Sequence, residues 1–228
     1  MTKDPKILLQ HILESRLIFL VASILVLAGM TNFSATAAGE SARVLFTKEF
    51  PNSQPDYFSV TVNENGQTIY STAPDDNSPL QFQLPAETSG EIFRLAEKLN
   101  WFKEDKLESH RRVANMGKKT LAYEKGEQHY AAVFNHTEAP EALELAALFE
   151  RISQTEQHLL RLQNLIRFDR LGVVKELLQV EMNLDQGRLL GTTQLAPILE
   201  KIRNDRSLAN IAQERAVQIL GKIQSGKP

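Results

Sequence analysis

Histidines and a cluster of arginines and lysines are the side chains of this 228-residue chain best suited to chemistry near neutral pH. Imidazole is the group whose ordinary pKa falls there, and it is also the commonest metal ligand. The five histidines are His11, His110, His129, His136 and His158. His129 and His136 are separated by an odd number of residues, so on a regular strand they point to opposite faces. A shared metal would need that strand to break between them. His158 sits among Gln157, Leu159 and Arg161 with no second ligand at helical spacing. The expected role of these histidines is structural or solvent-facing, and neither a metal nor a cofactor is expected.

The segment richest in candidates is residues 103–118, KEDKLESHRRVANMGK. Long connections without periodicity of their own are uncommon unless functional or mobile. His110, Arg111, Arg112, Lys118 and the adjoining Lys119 are the candidate binding residues, for an anion or an acidic partner segment. Arginine presents a planar donor fork to carboxylate or phosphate. The plainer reading is a solvated loop whose cations are balanced by Glu104, Asp105 and Glu108. Catalytic signatures are missing: there is no G-x-S-x-G elbow, Walker loop, H-E-x-x-H pair or nucleotide-binding glycine fingerprint. Paired carboxylates could hydrolyse a glycoside, but nothing selects one pair, so no catalytic residue is named. Tyr57, Tyr70 and Tyr123 could line a ligand surface or pack across strands.

The elements that must position these groups come in two kinds. Residues 42–50 are β-prone. Phe58, Val60 and Val62 alternate with Ser59 and Thr61, the period of a half-buried strand. Asn65-Gly66 suits a two-residue hairpin turn, which would set Val62 opposite Ile69. Leu80, Phe82 and Leu84 alternate again, and Pro85 ends that strand. Thr88 and Glu91 have the spacing of a capping box before the helical stripe Ile92, Leu95, Ala96 and Leu99, closed by Trp101 and Phe102. A second hairpin over residues 119–135 turns at Gly126-Glu127, pairing Lys125 with Gln128, Tyr123 with Tyr130 and Leu121 with Ala132.

From Thr137 the period becomes helical. Leu145, Ile152, Leu159 and Ile166 recur every seven residues, predicting one helix over residues 140–168. Thr155, Glu156, Gln163 and Asp169 at companion positions are too polar for a coiled-coil seam. The helix is therefore expected to pack on the chain's own sheet and helices. Leu195, Ile198, Leu199 and Ile202 mark a short helix. Ser207 is the expected cap of another, whose stripe runs from Leu208 to Ile223, and the two form an αα-hairpin. The expected fold class is α+β: a small antiparallel sheet with a packed helix over residues 38–136, then an all-helical region over 137–224 and a frayed tail at 225–228.

Residues 1–37 read as a signal peptide or N-terminal anchor. Lys3, Lys6 and Arg16 precede the apolar run of residues 17–30, and Ala35-Thr36-Ala37 fits the small-x-small cleavage pattern. A run of about 14 residues is short for a membrane span, which needs roughly 20. Asp4 and Glu14 weaken the cleavage pattern, and a retained inner-membrane anchor is the alternative. The expected location is extracytoplasmic, periplasmic or secreted, with membrane contact only through this segment if uncleaved. The chain has no cysteine, so disulfide and thiolate chemistry are excluded. Its net charge of −2, spread along the chain, argues against nucleic acid, which needs a basic face.

Several short runs occur in a suggestive order: Asp56 to Val62, Asn65-Gly66, Ile69-Tyr70, Leu99 to Phe102, the hairpin from Lys119 to Phe134, and the helix into residues 149–152. In that order, residues 44–152 resemble a family of uncharacterised bacterial extracytoplasmic domains, a domain of unknown function with a hairpin–helix–hairpin–helix plan. Members commonly carry cysteines before the tyrosine-containing strand, where this chain has Ser53, Gln54 and Pro55, so a redox or metal role tied to those cysteines does not transfer. The resemblance implies a fold and an address and supplies no catalytic residues. The expected function is a non-enzymatic module of the cell envelope that binds a protein or peptide. A hydrolase or carbohydrate-active enzyme, or a purely structural envelope protein, is the alternative.

Overall fold

The computed structural model describes residues 41–104 and 106–226. Residues 1–37, read above as a signal peptide or anchor, and the last two residues lie outside them. Alternating apolar side chains build six strands: β1 (Arg43–Glu49), β2 (Tyr57–Asn63), β3 (Gln67–Ser71), β4 (Leu80–Gln83), β5 (Lys118–Lys125) and β6 (Gln128–Phe134). They form one antiparallel sheet in the order β4-β3-β2-β1-β5-β6. Among the described residues, five α-helices complete the α+β fold: α1 (Ala86–Lys98), α2 (Pro140–Phe168), α3 (Gly172–Asp185), α4 (Ala196–Asn204) and α5 (Asn210–Ser225). The C-terminal region is helical, and α4 and α5 pack as a hairpin.

Two apolar cores form. The first joins the inner sheet face to α1 and the first half of α2, with the Phe149 ring stacked on Phe46 at 5.3 Å between centroids. The second joins the far half of α2, from Leu159, to α3, α4 and α5. No residue from 150 to 160 is classed as exposed, although residues 150, 151, 154, 157 and 160 are half-buried, because this stretch of α2 passes between the two cores. The polar side chains Ser153, Thr155, Glu156 and His158 are consequently buried there.

The second hairpin has the expected register, with Lys125 opposite Gln128, Tyr123 opposite Tyr130 and Leu121 opposite Ala132. The first differs by one residue. Its turn spans three residues, 64–66, so Thr61 faces Ile69 and Val62 faces Thr68. Thr68 is therefore the buried residue and Ile69 the half-buried one, because a one-residue slip exchanges the sheet faces. Long-range contact selects this turn: Leu84 N–H donates to Gly66 O (2.9 Å) and the Gln83 side-chain amide to Asn65 O (2.7 Å). Gly66 takes φ +84°, and a Cβ there would stand 2.8 Å from Leu84 O.

Neither expected cap forms. Helix α1 begins two residues before Thr88, after Pro85, whose carbonyl accepts from Ser89 N–H (3.1 Å) and opens the helical ladder early. Glu91 bonds Arg94 instead of closing a box. Ser207 belongs to an Asp205-centred turn, its N–H donating to Asp205 Oδ1 (2.9 Å), and α5 starts only at Asn210. That helix also continues through Gln224 and Ser225, beyond the expected start of fraying at its end.

Candidate functional site

Helix α2 stops at Phe168 and α3 starts four residues later, making a sharp corner. Asp169 organises it by accepting the Gly172 N–H on both its backbone O and its Oδ1 (3.1 Å each). The chain passes closely here: a Cβ at Gly172 would meet the side-chain ends Asp169 Oδ2 at 2.6 Å and Leu165 Cδ2 at 2.7 Å, which would have to move aside. The turn leaves Phe168 83% and Leu171 86% exposed. Two such side chains three residues apart make a small exposed apolar patch, and contiguous patches are what mark interaction surfaces.

Beside these two lies a cavity of about 530 Å³, lined by Arg161, Asn164, Leu165, Phe168, Asp169, Gly172, Lys175 and Glu176. Its back wall is a built hydrogen-bond network. His158 Nδ1 meets Glu176 Oε1 at 2.6 Å, and the Asn183 amide bonds His158 Nε2 at 2.9 Å. Arg161 Nε donates to the same Glu176 oxygen at 3.0 Å. Burial alone would raise the Glu176 carboxyl, but the His158 hydrogen bond and the Arg161 charge outweigh it and hold the group below its ordinary range. Glu176 therefore remains an anion whose charge is already answered from inside. Arg161 and Glu176 of this network line the cavity together with Leu165, Phe168, Asn164, Asp169, Gly172 and Lys175.

Deeper in the chain, Glu156 lies in the polar stretch between the cores. It is fully buried, and neither carboxyl oxygen has a hydrogen-bond partner among the described residues. Burial pushes its pKa from the ordinary 4.5 up to about 8. Tyr70 of β3 sits against it and against Ser153, and its hydroxyl is likewise raised, chiefly by burial.

A second concavity, about 450 Å³, opens at the end of the sheet, where Arg43, Asn63, Glu124, Gln128 and His129 meet. His129 Nδ1 lies 2.9 Å from Glu124 Oε1, and Arg43 occupies the other carboxylate oxygen. Strand pairing of Glu124 with His129 makes this dyad, which the comparison of His129 with His136 overlooked.

The five basic candidates of the long connection have separate surroundings. His110 and Arg112 are exposed, and Arg111 pairs with Glu138 at 2.9 Å. Lys118 points to solvent and reaches Glu49 at 3.4 Å. Lys119, the next residue on the strand, points inward. Its ammonium donates to the carbonyls of Asn135 (2.8 Å) and Met116 (3.4 Å), and its pKa is lowered by burial first and Lys48 second. The connection itself is pinned at its base. The Asn135 side chain accepts Met116 N–H (2.6 Å) and donates to Ala114 O (3.2 Å), while Ser109 N–H donates to His136 O (2.8 Å).

Among the described residues, no group of three or more His, Asp or Glu side chains is placed to hold a metal ion, and no helix is long and apolar enough to cross a membrane. The sequence had no signal for Phe168 and Leu171 beyond an apolar pair at a helix end. The partners of His158 come from a helix 18 and 25 residues further on, invisible to spacing rules. No family model matches the chain, and no curated protein matches it.

Proposed function

We propose that this chain is a non-enzymatic, extracytoplasmic module that binds a segment of a partner protein at the corner between α2 and α3. The observation that carries the reading is the pair Phe168 and Leu171, standing open beside a preformed cavity. Binding energy in protein interfaces concentrates in a few large apolar or aromatic anchors set in pockets, and this corner supplies both anchor and pocket. Cell-envelope location rests on the leader pattern of residues 1–37. Within the same proposal, the segment resembling extracytoplasmic domains is the sheet platform that carries the helical binding end.

The test is capture from crosslinked envelope extract with the full chain, its Phe168→Ala/Leu171→Ala double variant and a Val217→Ala control. All three substitutions are at exposed positions, so the folded state survives and is checked by circular dichroism. The expected result is a partner retained by the native chain and by the control and lost by the double variant. Equal retention by all three, or retention by none, would overturn the assignment.

A second reading, hydrolysis, has one observation in its favour: the Glu124–His129 pair in the sheet-end cleft has the acid–base composition such chemistry uses. Arg43 ties up the carboxylate, and His129 is widely open to water, which fits a surface ion network at least as well. Glycoside and ester hydrolysis assayed with native chain and His129→Ala separates the two. Turnover lost in the variant would move the function to that cleft.

A further inference from the structure

Helix α3 is apolar on two opposite faces. Val173, Leu177, Val180 and Leu184 recur at helical spacing and are buried against the second core. The opposite side of an amphipathic surface helix should be polar, yet it carries Leu171, Leu178 (41% exposed) and Met182 (44%), with Lys175 between them. Separations of seven and four residues set these side chains in one straight row. The row runs past the cavity of about 530 Å³, whose wall includes Lys175.

Charge decides what fits there. Residues 161–175 contain four cations, Arg161, Arg167, Arg170 and Lys175, and one acid, Asp169, in a chain whose net charge is −2. Asp169 is engaged with Gly172, and Arg167, Arg170 and Lys175 enter no ion pair among the described residues. Glu176 answers Arg161 and the charge of Arg170 acts on Asp205, so Lys175 and Arg167 are the cations for which acidic groups on a partner are the complement. A helix suits the row: an amphipathic helix keeps its own hydrogen bonds and lays an apolar stripe along side chains spaced seven and four residues apart.

We propose that the outer face of α3 seats an acidic amphipathic helix of the partner protein. The partner's apolar stripe covers Leu171, Leu178 and Met182, its carboxylates meet Lys175 and Arg167, and one large apolar side chain enters the cavity against Leu165 and Phe168. The concavity argues for a protein knob over a lipid surface, which would flatten across the corner and leave the cavity unfilled. This inference rests on the binding role proposed for the corner.

The probe is a synthetic 18-residue amphipathic helix with a leucine stripe, made with glutamate, serine or lysine flanks. Its binding to the full chain is followed by fluorescence anisotropy. Expected affinity falls in the order glutamate, serine, lysine, at least tenfold from first to last. Lys175→Glu should weaken the glutamate peptide at least tenfold, and Leu178→Ser/Met182→Ser should do the same. Absence of binding, or binding indifferent to flank charge and to these substitutions, would overturn the seat. So would equal sensitivity to them in binding of anionic phosphatidylglycerol vesicles, or a concentration-dependent dimer abolished by them in sedimentation. Failure of the seat is separable from failure of the binding role. If envelope capture is lost in Phe168→Ala/Leu171→Ala but unchanged in Lys175→Glu and Leu178→Ser/Met182→Ser, the corner binds its partner without α3. If capture is unchanged in every variant, both assignments fall.

Discussion

A carboxyl group enclosed in protein with neither oxygen bonded is tolerable only while it keeps its proton. Glu156 is in that position, with Tyr70 and Ser153 beside it and Arg161 as the nearby cation whose charge reaches the same cluster. The folded chain holds the Glu156 proton up to about pH 8, while an unfolded chain releases it near 4.5. Between those values folding takes up a proton. The stabilisation from this group is therefore complete below about pH 4.5 and is lost as pH rises toward about 8. One proton corresponds to a slope of up to about 1.4 kcal/mol per pH unit. Glu156→Gln, which stays neutral at every pH, should flatten that decline, as read from urea denaturation at pH 5, 6.5 and 8. A variant that keeps the native slope would show that another group sets it.

At the scale of elements, the tight Gly66 turn should be the most sensitive point of the sheet. Gly66→Ala forces a side chain into a left-handed conformation and into the Leu84 carbonyl, a combined cost of about 2 kcal/mol or more. Denaturant midpoints measure it, and amide exchange should speed up in β3 and β4 before β5 and β6. Another strained turn follows α1, where Asn100, Trp101 and Phe102 all have positive φ. Packing offsets that strain, since Trp101 lies 4.5 Å from the Tyr123 ring and Phe102 is buried. Elements with strong local signals were legible in the sequence: α2 runs over residues 140–168 as its heptads predict, and the β5–β6 pairing follows from its turn. Tertiary contacts hid the rest. The first turn took a third residue because β4 closes on it, and α1 and α5 start where the chain path turns instead of at Thr88 or Ser207. Lys119 looked like a surface cation because nothing local shows that the carbonyls of Met116 and Asn135 wait for it inside.

For the whole molecule, α2 is the member that both cores share. Its first half completes the sheet core and its far half the helical core, so neither core retains its packing if the helix unwinds. The chain should therefore unfold in one step. Trp101, the single tryptophan, reports on the sheet side through its fluorescence, and far-ultraviolet circular dichroism reports mainly on the helices. Coincident urea transitions are expected from the two signals. Separated midpoints would show that the helical end melts independently. The candidate site was the part least legible from sequence, because it is assembled where α2, α3 and their corner meet, from Arg161, Phe168, Leu171 and Glu176, and no local pattern marks them.

The continuous 29-residue course of α2 also makes it a ruler. From Phe149, stacked on the sheet at Phe46, to Phe168 at the open corner is 19 residues, or about 29 Å along the helix axis. Under the proposed binding role, a partner at the corner would be held at a fixed standoff from the sheet, since α2 is one continuous helix between the two. Pull or torque applied at the corner reaches Phe46 and the β1 strand directly, and removing one helical turn would shorten the reach by about 5 Å while keeping its bearing nearly unchanged.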